Sequence, residues 1–226
     1  MRVNADFSRR AAVHPDRTPW TPSPAAGVER RMLDRIGDEV ARATTIVRFA
    51  PGSAFAAHTH GGGEEYLVLD GVFQDETGDF PTGSYVRNPP TSHHTPASAP
   101  GCTIFVKLWQ MAPDDRTEVR VLPGAQRFAP DPARPGVEIA PLHRDAREDV
   151  RLERWAPGAR IGTGLPGGAE LLVIAGGFAE GGEHFGPQGW LRLPKGARLD
   201  AIAGPGGATV WIKTGHLTRE PQAPAA

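Results

Sequence analysis

The chain has 226 residues, 39% of them hydrophobic, with 28 glycines, 23 prolines and a formal net charge of −1. That length holds one large domain or two of ordinary size, and the glycine- and proline-rich mixture suits a turn-rich β protein better than a disordered chain. Acids and bases are interspersed, which leaves no basic stripe for nucleic acid and no basic amphipathic helix for a membrane surface.

The first stretch, 1–26, reads as an irregular lead-in, with Pro22 and Pro24 breaking any helix. It has no apolar core of the kind a signal peptide needs, and the longest apolar run, "LLVIAGGFA" at 171–179, is too short to span a bilayer. Cys102 is the only cysteine, so no internal disulfide can form and a cytoplasmic location is expected. In "GCTIFVKLW" it reads as a small buried hydrophobe on a strand.

Residues 27–112 form the first unit: short β-branched and aliphatic runs bounded by Gly, Pro and Asn, with a helical turn only near "RRMLDRIG". Within it, "AFAAHTHGGGEEYLVLDG" carries the chemistry. If "AFAAHTH" is a strand, His58 and His60 project to one face together with Ala54 and Ala56, which leave room around the imidazoles. Gly61–Gly63 let the chain turn and return Glu64 toward them. A hairpin through "QDETGDFPTG" leads to "NPPTSHHTP", a fourth candidate on a neighbouring strand. Imidazoles with a carboxylate suit Zn, Fe(II), Mn, Ni or Cu.

After a proline- and charge-rich linker at 113–135, the chain repeats itself. "RFAPGSAF" at 48 returns as "RWAPGARI" at 154, "EEYLVLDGVF" at 64 as "ELLVIAGGF" at 170, "GSYVRNPP" at 83 as "GWLRLPKG" at 189, and "CTIFVKL" at 102 as "ATVWIKT" at 208. The expected organisation is therefore all-β, two copies of one barrel or sandwich unit: the first, with the candidate metal ligands, at 27–112, the second at 136–218, and a flexible tail at 219–226. Carrying the offset of the repeat through the site sets Gly164 at His58, Pro166 at His60, Glu170 at Glu64 and Leu199 at His94. One carboxylate does not hold a transition metal, so the second copy reads as degenerate and structural, covering sheet edges or forming an interface. His14, His143, His184 and His216 lack ligand-spaced partners and read as surface residues.

Gly52, His58-x-His60, Glu64 and Gly71 stand at the spacing of the first cupin motif, and Pro89 followed by His94 at that of the second, with Thr91 where a glycine is usual. The longer context through "GSYVRNPP" and "GCTIFVKL" resembles the ChrR-type cupins, a branch that includes the cupin domain of ChrR anti-sigma factors and is similar to acetylacetone-cleaving dioxygenases. The resemblance covers about residues 20–112 and reaches 136–216 only through the repeat. It implies two tandem cupin (jelly-roll) barrels and one divalent metal per chain, Fe(II) or Zn(II) with Mn or Ni as alternatives, held by His58, His60, Glu64 and His94. His93 competes for the last position, but adjacent strand residues face opposite ways and the proline spacing selects His94. By the same parity Glu65 turns away from Glu64, while Tyr66 shares its face, as a pocket wall or as packing.

Two functions follow from one ligand set. On six-coordinate Fe(II), four protein ligands leave two positions for a chelating substrate or O₂, giving a dioxygenase for a small dicarbonyl or aromatic ketone. On Zn they complete a tetrahedron, giving a regulatory or sensing module. The anti-sigma factors of this kind carry a Cys/His zinc domain before the cupin; the short cysteine-free lead-in here shifts the expectation toward an enzyme. The expected partner is a small molecule, not nucleic acid or membrane, with homodimerisation left open.

Overall fold

Every long element pairs antiparallel with its neighbours. The computed structural model describes residues 1–219 and 222–224; positions 220, 221, 225 and 226 of the expected tail lie outside the described residues. The described chain is built of β-strands with two short 3₁₀ turns, at Pro15–Arg17 and Pro123–Ala125. None of its helices is long and apolar enough to cross a membrane. It divides into two compact units, one chiefly of Met1–Ala5 and Pro19–Ala125, the other of Asp6–Thr18 and the chain from Gln126.

In the first unit, Val28–Gly37, Ala41–Phe49, Cys102–Leu108, Glu64–Asp75, Tyr85–Asn88 and Val119–Val121 lie side by side in that order. A separate two-stranded ladder joins His58–Thr59 to His93–His94. "RRMLDRIG" lies inside the strand Val28–Gly37, not in a helical turn. Its pairing with Ala41–Phe49 prevails over local preference, and the helix-like spacing reflects a bulge between Met32 and Asp34. Strand alternation then sorts the side chains. Tyr66, Val68, Phe73, Ile104 and Val106 face the core with Val28, Phe49 and Phe80. Cys102 is buried among them as expected, and burial pushes its thiol up to about 11.

The second unit repeats the plan with Val137–Arg144, Asp149–Trp155, Ala197–Thr214, Ala169–Glu180 and Trp190–Leu193. Its interior is filled by Ile161, Leu165, Leu171, Phe178, Phe185, Leu199 and Val210.

The lead-in, read as irregular, and the linker both hold ordered pieces. Thr21–Pro22 pairs with Val28–Gly37, and Ala129–Pro130 pairs with Val137–Arg144 at the corresponding register. Trp20 packs 4.4 Å from both the Arg31 and Arg48 guanidinium groups, and Phe128 lies 3.8 Å from Arg154. Val119–Val121 extends the first sheet beside Tyr85–Asn88, while Ala11–Val13, from the lead-in, does the same for the second sheet beside Trp190–Leu193. Each segment closes a sheet edge and caps a buried arginine. Arg87 reaches Asp115 at 2.6 Å, and Arg192 donates to the Asp6 carbonyl and stacks 3.7 Å from Phe7.

The histidines expected at the surface divide. His184 is exposed. The His216 side chain is covered with its Nε2 2.9 Å from Glu170, the His143 side chain is covered near Asp145, and His14 contacts Glu183 at 2.8 Å. For His216 and His14 the carboxylate comes from a distant strand, so spacing along the chain did not reveal it; Asp145 is only two residues from His143.

Candidate metal centre

His58 and His94 lie opposite each other in the short ladder, and Thr59 lies opposite His93. His94 is buried and His93 is exposed. Pro89, Pro90 and the turn at Thr91 carry the chain back so that Thr91 N–H donates to the His60 carbonyl at 2.9 Å and His60 N–H to the Ser92 carbonyl at 2.9 Å. Thr91, at the position where a glycine is usual, has φ 77°, the left-handed conformation that glycine would take without strain.

The three glycines serve two purposes. Only Gly63 has a positive φ, 77°. Gly61 and Gly62 lie flat against the Trp109 indole, where an added Cβ would stand 2.5 and 2.4 Å from the ring. The turn thus needs one glycine for its backbone angle and two for close approach. It delivers Glu64 to the start of the long strand Glu64–Asp75.

One ligand atom from each of His58, His60, Glu64 and His94 lies within 4.8 Å of all the others, and this is the group of such side chains found among the described residues. His60 Nε2 is 3.2 Å from His94 Nε2, and each is 3.4 Å from Glu64 Oε2. The opposite ring nitrogens are all occupied. His58 Nδ1 lies 3.0 Å from the Ala56 carbonyl, His60 Nδ1 2.9 Å from Ser92 Oγ, and His94 Nδ1 3.2 Å from Asp75 Oδ2. The Ser92 hydroxyl donates to the Pro89 carbonyl at 2.6 Å, which leaves its oxygen to accept. Each Nδ1 therefore carries the proton, and each Nε2 directs a lone pair inward. Two lone pairs 3.2 Å apart repel unless a cation stands between them, so the donor set fits a metal ion.

Electrostatics agree. Burial, with His94 and His58 nearby, holds the His60 imidazolium down at about 3, and burial likewise lowers His94, so both rings are neutral donors. Burial and the nearby Asp75 charge push the Glu64 carboxyl up to about 7, against the Asn88 amide that donates to it at 3.2 Å. A cation among these groups would reverse that shift.

Beside the cluster lies a cavity of about 150 Å³ lined by His58, Glu64, Val47, Phe49, Phe55, Phe73, Pro96, Ile104, Val106 and Leu108. Ala54 and Ala56, expected to make this space, are exposed instead. The chain leaves strand geometry between Ser53–Ala54 and His58–Thr59, so alternation does not carry across and Phe55 faces the cavity. Tyr66 is packing: it sits 4.7 Å from Phe73 and 6.1 Å from Phe80 by ring centroids and does not line the cavity. Glu65 turns to the outer face as expected and accepts from Tyr85 at 2.8 Å.

The second copy is displaced by one residue from the sequence alignment. Ala54 pairs with Ala97 and His58 with His94 in the first unit; Arg160 pairs with Ile202 and Thr163 with Leu199 in the second. The second copy is thus one residue shorter between these pairs, and Thr163, Leu165, Ala169 and Leu199 occupy the four ligand positions. Glu170 corresponds to Glu65, not to Glu64. It accepts from Trp190 at 3.3 Å as Glu65 accepts from Tyr85, on the outer face. A shift of one residue exchanges the two faces of a strand. Gly164 and Pro166 therefore do not stand at the ligand positions.

Ser92, Asp75 and Asn88, which orient the ligands, were not singled out from the sequence. Ser92 lies two residues before His94 and was within reach of the motif; Asp75 and Asn88 arrive on other strand segments.

Residues 8–112 match a family model described as the ChrR cupin-like domain. No curated protein matches the chain. Among solved structures it is similar to a candidate dioxygenase from Nostoc punctiforme, at 14% identity and TM-score 0.72, covering all of this chain and 86% of that one. Protein Ylba from E. coli matches at 14% identity and TM-score 0.71, covering 96% and 95%. A candidate glyoxylate-induced protein from Pseudomonas aeruginosa matches at 12% and 0.68, covering 100% and 94%. These likenesses establish a cupin fold.

Proposed function

We propose that this protein, which carries a ChrR cupin-like domain over residues 8–112, is a mononuclear metal-dependent dioxygenase acting on a small dicarbonyl or aromatic ketone. The observation that carries the reading is the cavity: about 150 Å³, walled by two of the four ligands, His58 and Glu64, and otherwise by apolar side chains. Bound iron would supply Lewis acidity toward chelating carbonyl oxygens and electrons toward O₂.

The chain's own residues do the rest. His58 and Glu64 line the cavity and would hold a bound ion at its wall, and Phe49, Phe55, Phe73, Ile104 and Val106 would hold the apolar part of a compact substrate beside it. Among the described residues no lysine or arginine lines the cavity, so a carboxylate substrate would enter without a counter-charge. A neutral chelator meets no such cost. The apolar wall also keeps water from the reacting groups. A small-molecule partner and a cytoplasmic location fit an Fe(II) site.

A zinc-holding regulatory module is the second reading. It is favoured by four donors close enough to complete a tetrahedron and by the ChrR-like match itself. Oxygen uptake decides between them. Apo protein loaded with Fe(II) is followed across a panel of β-diketones and hydroxyacetophenones. Substrate-dependent uptake that vanishes in His60→Ala and falls when zinc replaces iron supports the enzyme. Full iron loading with no substrate-dependent uptake favours the module.

A further inference from the structure

We propose that Asp75 is a positioning residue for the metal, holding His94 in the tautomer and orientation that direct Nε2 at the ion; the inference rests on reading the His/Glu quartet as a metal site. Asp75 is the last residue of the strand that begins with Glu64. Its side chain is 5% exposed, and Oδ2 lies 3.2 Å from His94 Nδ1. Its other oxygen accepts from the Thr77 backbone N–H at 2.7 Å and from the Thr77 hydroxyl, so the carboxylate is fixed at both ends. The next residue, Glu76, accepts from the Thr95 N–H at 2.9 Å. The turn after Asp75 therefore grips both the His94 ring and the backbone beside it.

His94 is alone among the three imidazoles in having an anion behind it; His58 has a carbonyl and His60 a hydroxyl. A carboxylate on the outer nitrogen makes an imidazole a stronger donor and fixes which nitrogen carries the proton. It also sets the charge of the site. With Glu64 and Asp75 both ionised, a divalent cation leaves the assembly formally neutral, which suits a buried location. In the second unit Leu199 stands at the His94 position, and the carboxylate corresponding to Asp75, Glu180, pairs with Arg10 at 2.8 Å. Where the imidazole is missing, the acid has another partner.

The test is Co(II) binding to the full chain in wild type, Asp75→Ala, Asp75→Asn and Thr77→Ala, read by competition with a chromophoric chelator and by the Co(II) absorption bands. Asp75→Ala should weaken binding by about 10- to 100-fold and change the bands. Asp75→Asn should not rescue it: an amide presenting oxygen to Thr77 turns its NH₂ toward His94 and moves the ring proton to Nε2, a change that ¹⁵N shifts of the apo protein report directly. Thr77→Ala, which loosens the turn but spares the imidazole contact, should stay within about threefold of wild type, well under the effect of losing the carboxylate. Wild type that binds one Co(II) while Asp75→Ala binds equally tightly, with unchanged bands, overturns the positioning role alone. Wild type that takes up no stoichiometric Co(II) overturns the metal reading and this inference with it.

Discussion

Replacing Thr91 by glycine should stabilise the first unit. Thr91 is exposed, has φ 77°, and sits in the turn that joins His60 to His94 through the Thr91 N–H bond to the His60 carbonyl. A β-carbon in the left-handed region costs about 1–2 kcal/mol, and glycine removes that cost. Glycine also gives the unfolded chain more freedom, which returns about 0.4–1 kcal/mol. The side chain buries little and the backbone bond survives, so the net gain is about 0.5–1 kcal/mol. With urea m-values of about 1–3 kcal/mol/M, the midpoint should rise by a few tenths of a molar unit. The assay needs a probe confined to this unit, and Cys102 is one. It is the only cysteine, it is buried, and it becomes accessible when Cys102–Leu108 leaves Ala41–Phe49 and Glu64–Asp75. Pulsed thiol labelling of metal-free protein across a urea gradient therefore reports this unit without interference from the other. Thr91→Ala, which keeps the β-carbon, should recover only a fraction of the gain. A midpoint that falls in Thr91→Gly, or rises equally in both variants, would refute the strain argument.

The remaining predictions concern the metal. His58→Ala, His60→Ala and His94→Ala should each abolish stoichiometric binding, measured by metal analysis after dialysis, because each removes an inward nitrogen; His93→Ala, whose ring is exposed, should bind normally. The reverse outcome for His93 and His94 would mean the second motif is read one residue out. Affinity should also depend on pH with a definite sign. His60, held at about 3, carries no proton to displace near neutrality, whereas Glu64, raised to about 7 when no cation is present, must lose one. Log K should therefore rise with pH below about 7 as Glu64 gives up its proton to the metal, with calorimetry detecting proton release on the acid side. A flat profile between pH 5 and 7 would show that Glu64 is already ionised before metal arrives.

Much of this protein is written locally. Alternating apolar runs between Gly, Pro and Asn specify antiparallel strands because side chains on a strand repeat every two residues. The spacing from His58 to Glu64 is local too, since one turn of fixed length brings the three ligands together, and parity combined with the spacing from Pro89 separates His94 from His93. Tertiary structure decided the rest. "RRMLDRIG" became a strand because its neighbour supplied hydrogen bonds that no local preference records. Glu170 came to the outer face because one residue is missing between Arg160 and Thr163 relative to Ala54 and His58, and the repeat alone does not show where in that loop the loss falls. Asp75 reaches His94 only after a long strand and its hairpin turn bend back, and the cavity wall is gathered from Val47, Phe55, Phe73 and Ile104 on four separate segments. The lead-in and the linker show the same division, since their prolines and charges suggest loops until an exposed sheet edge pairs with them. Contacts fixed by short-range geometry are legible in order along the chain. Those that depend on which edge, face or loop lies nearby exist only once the chain has folded.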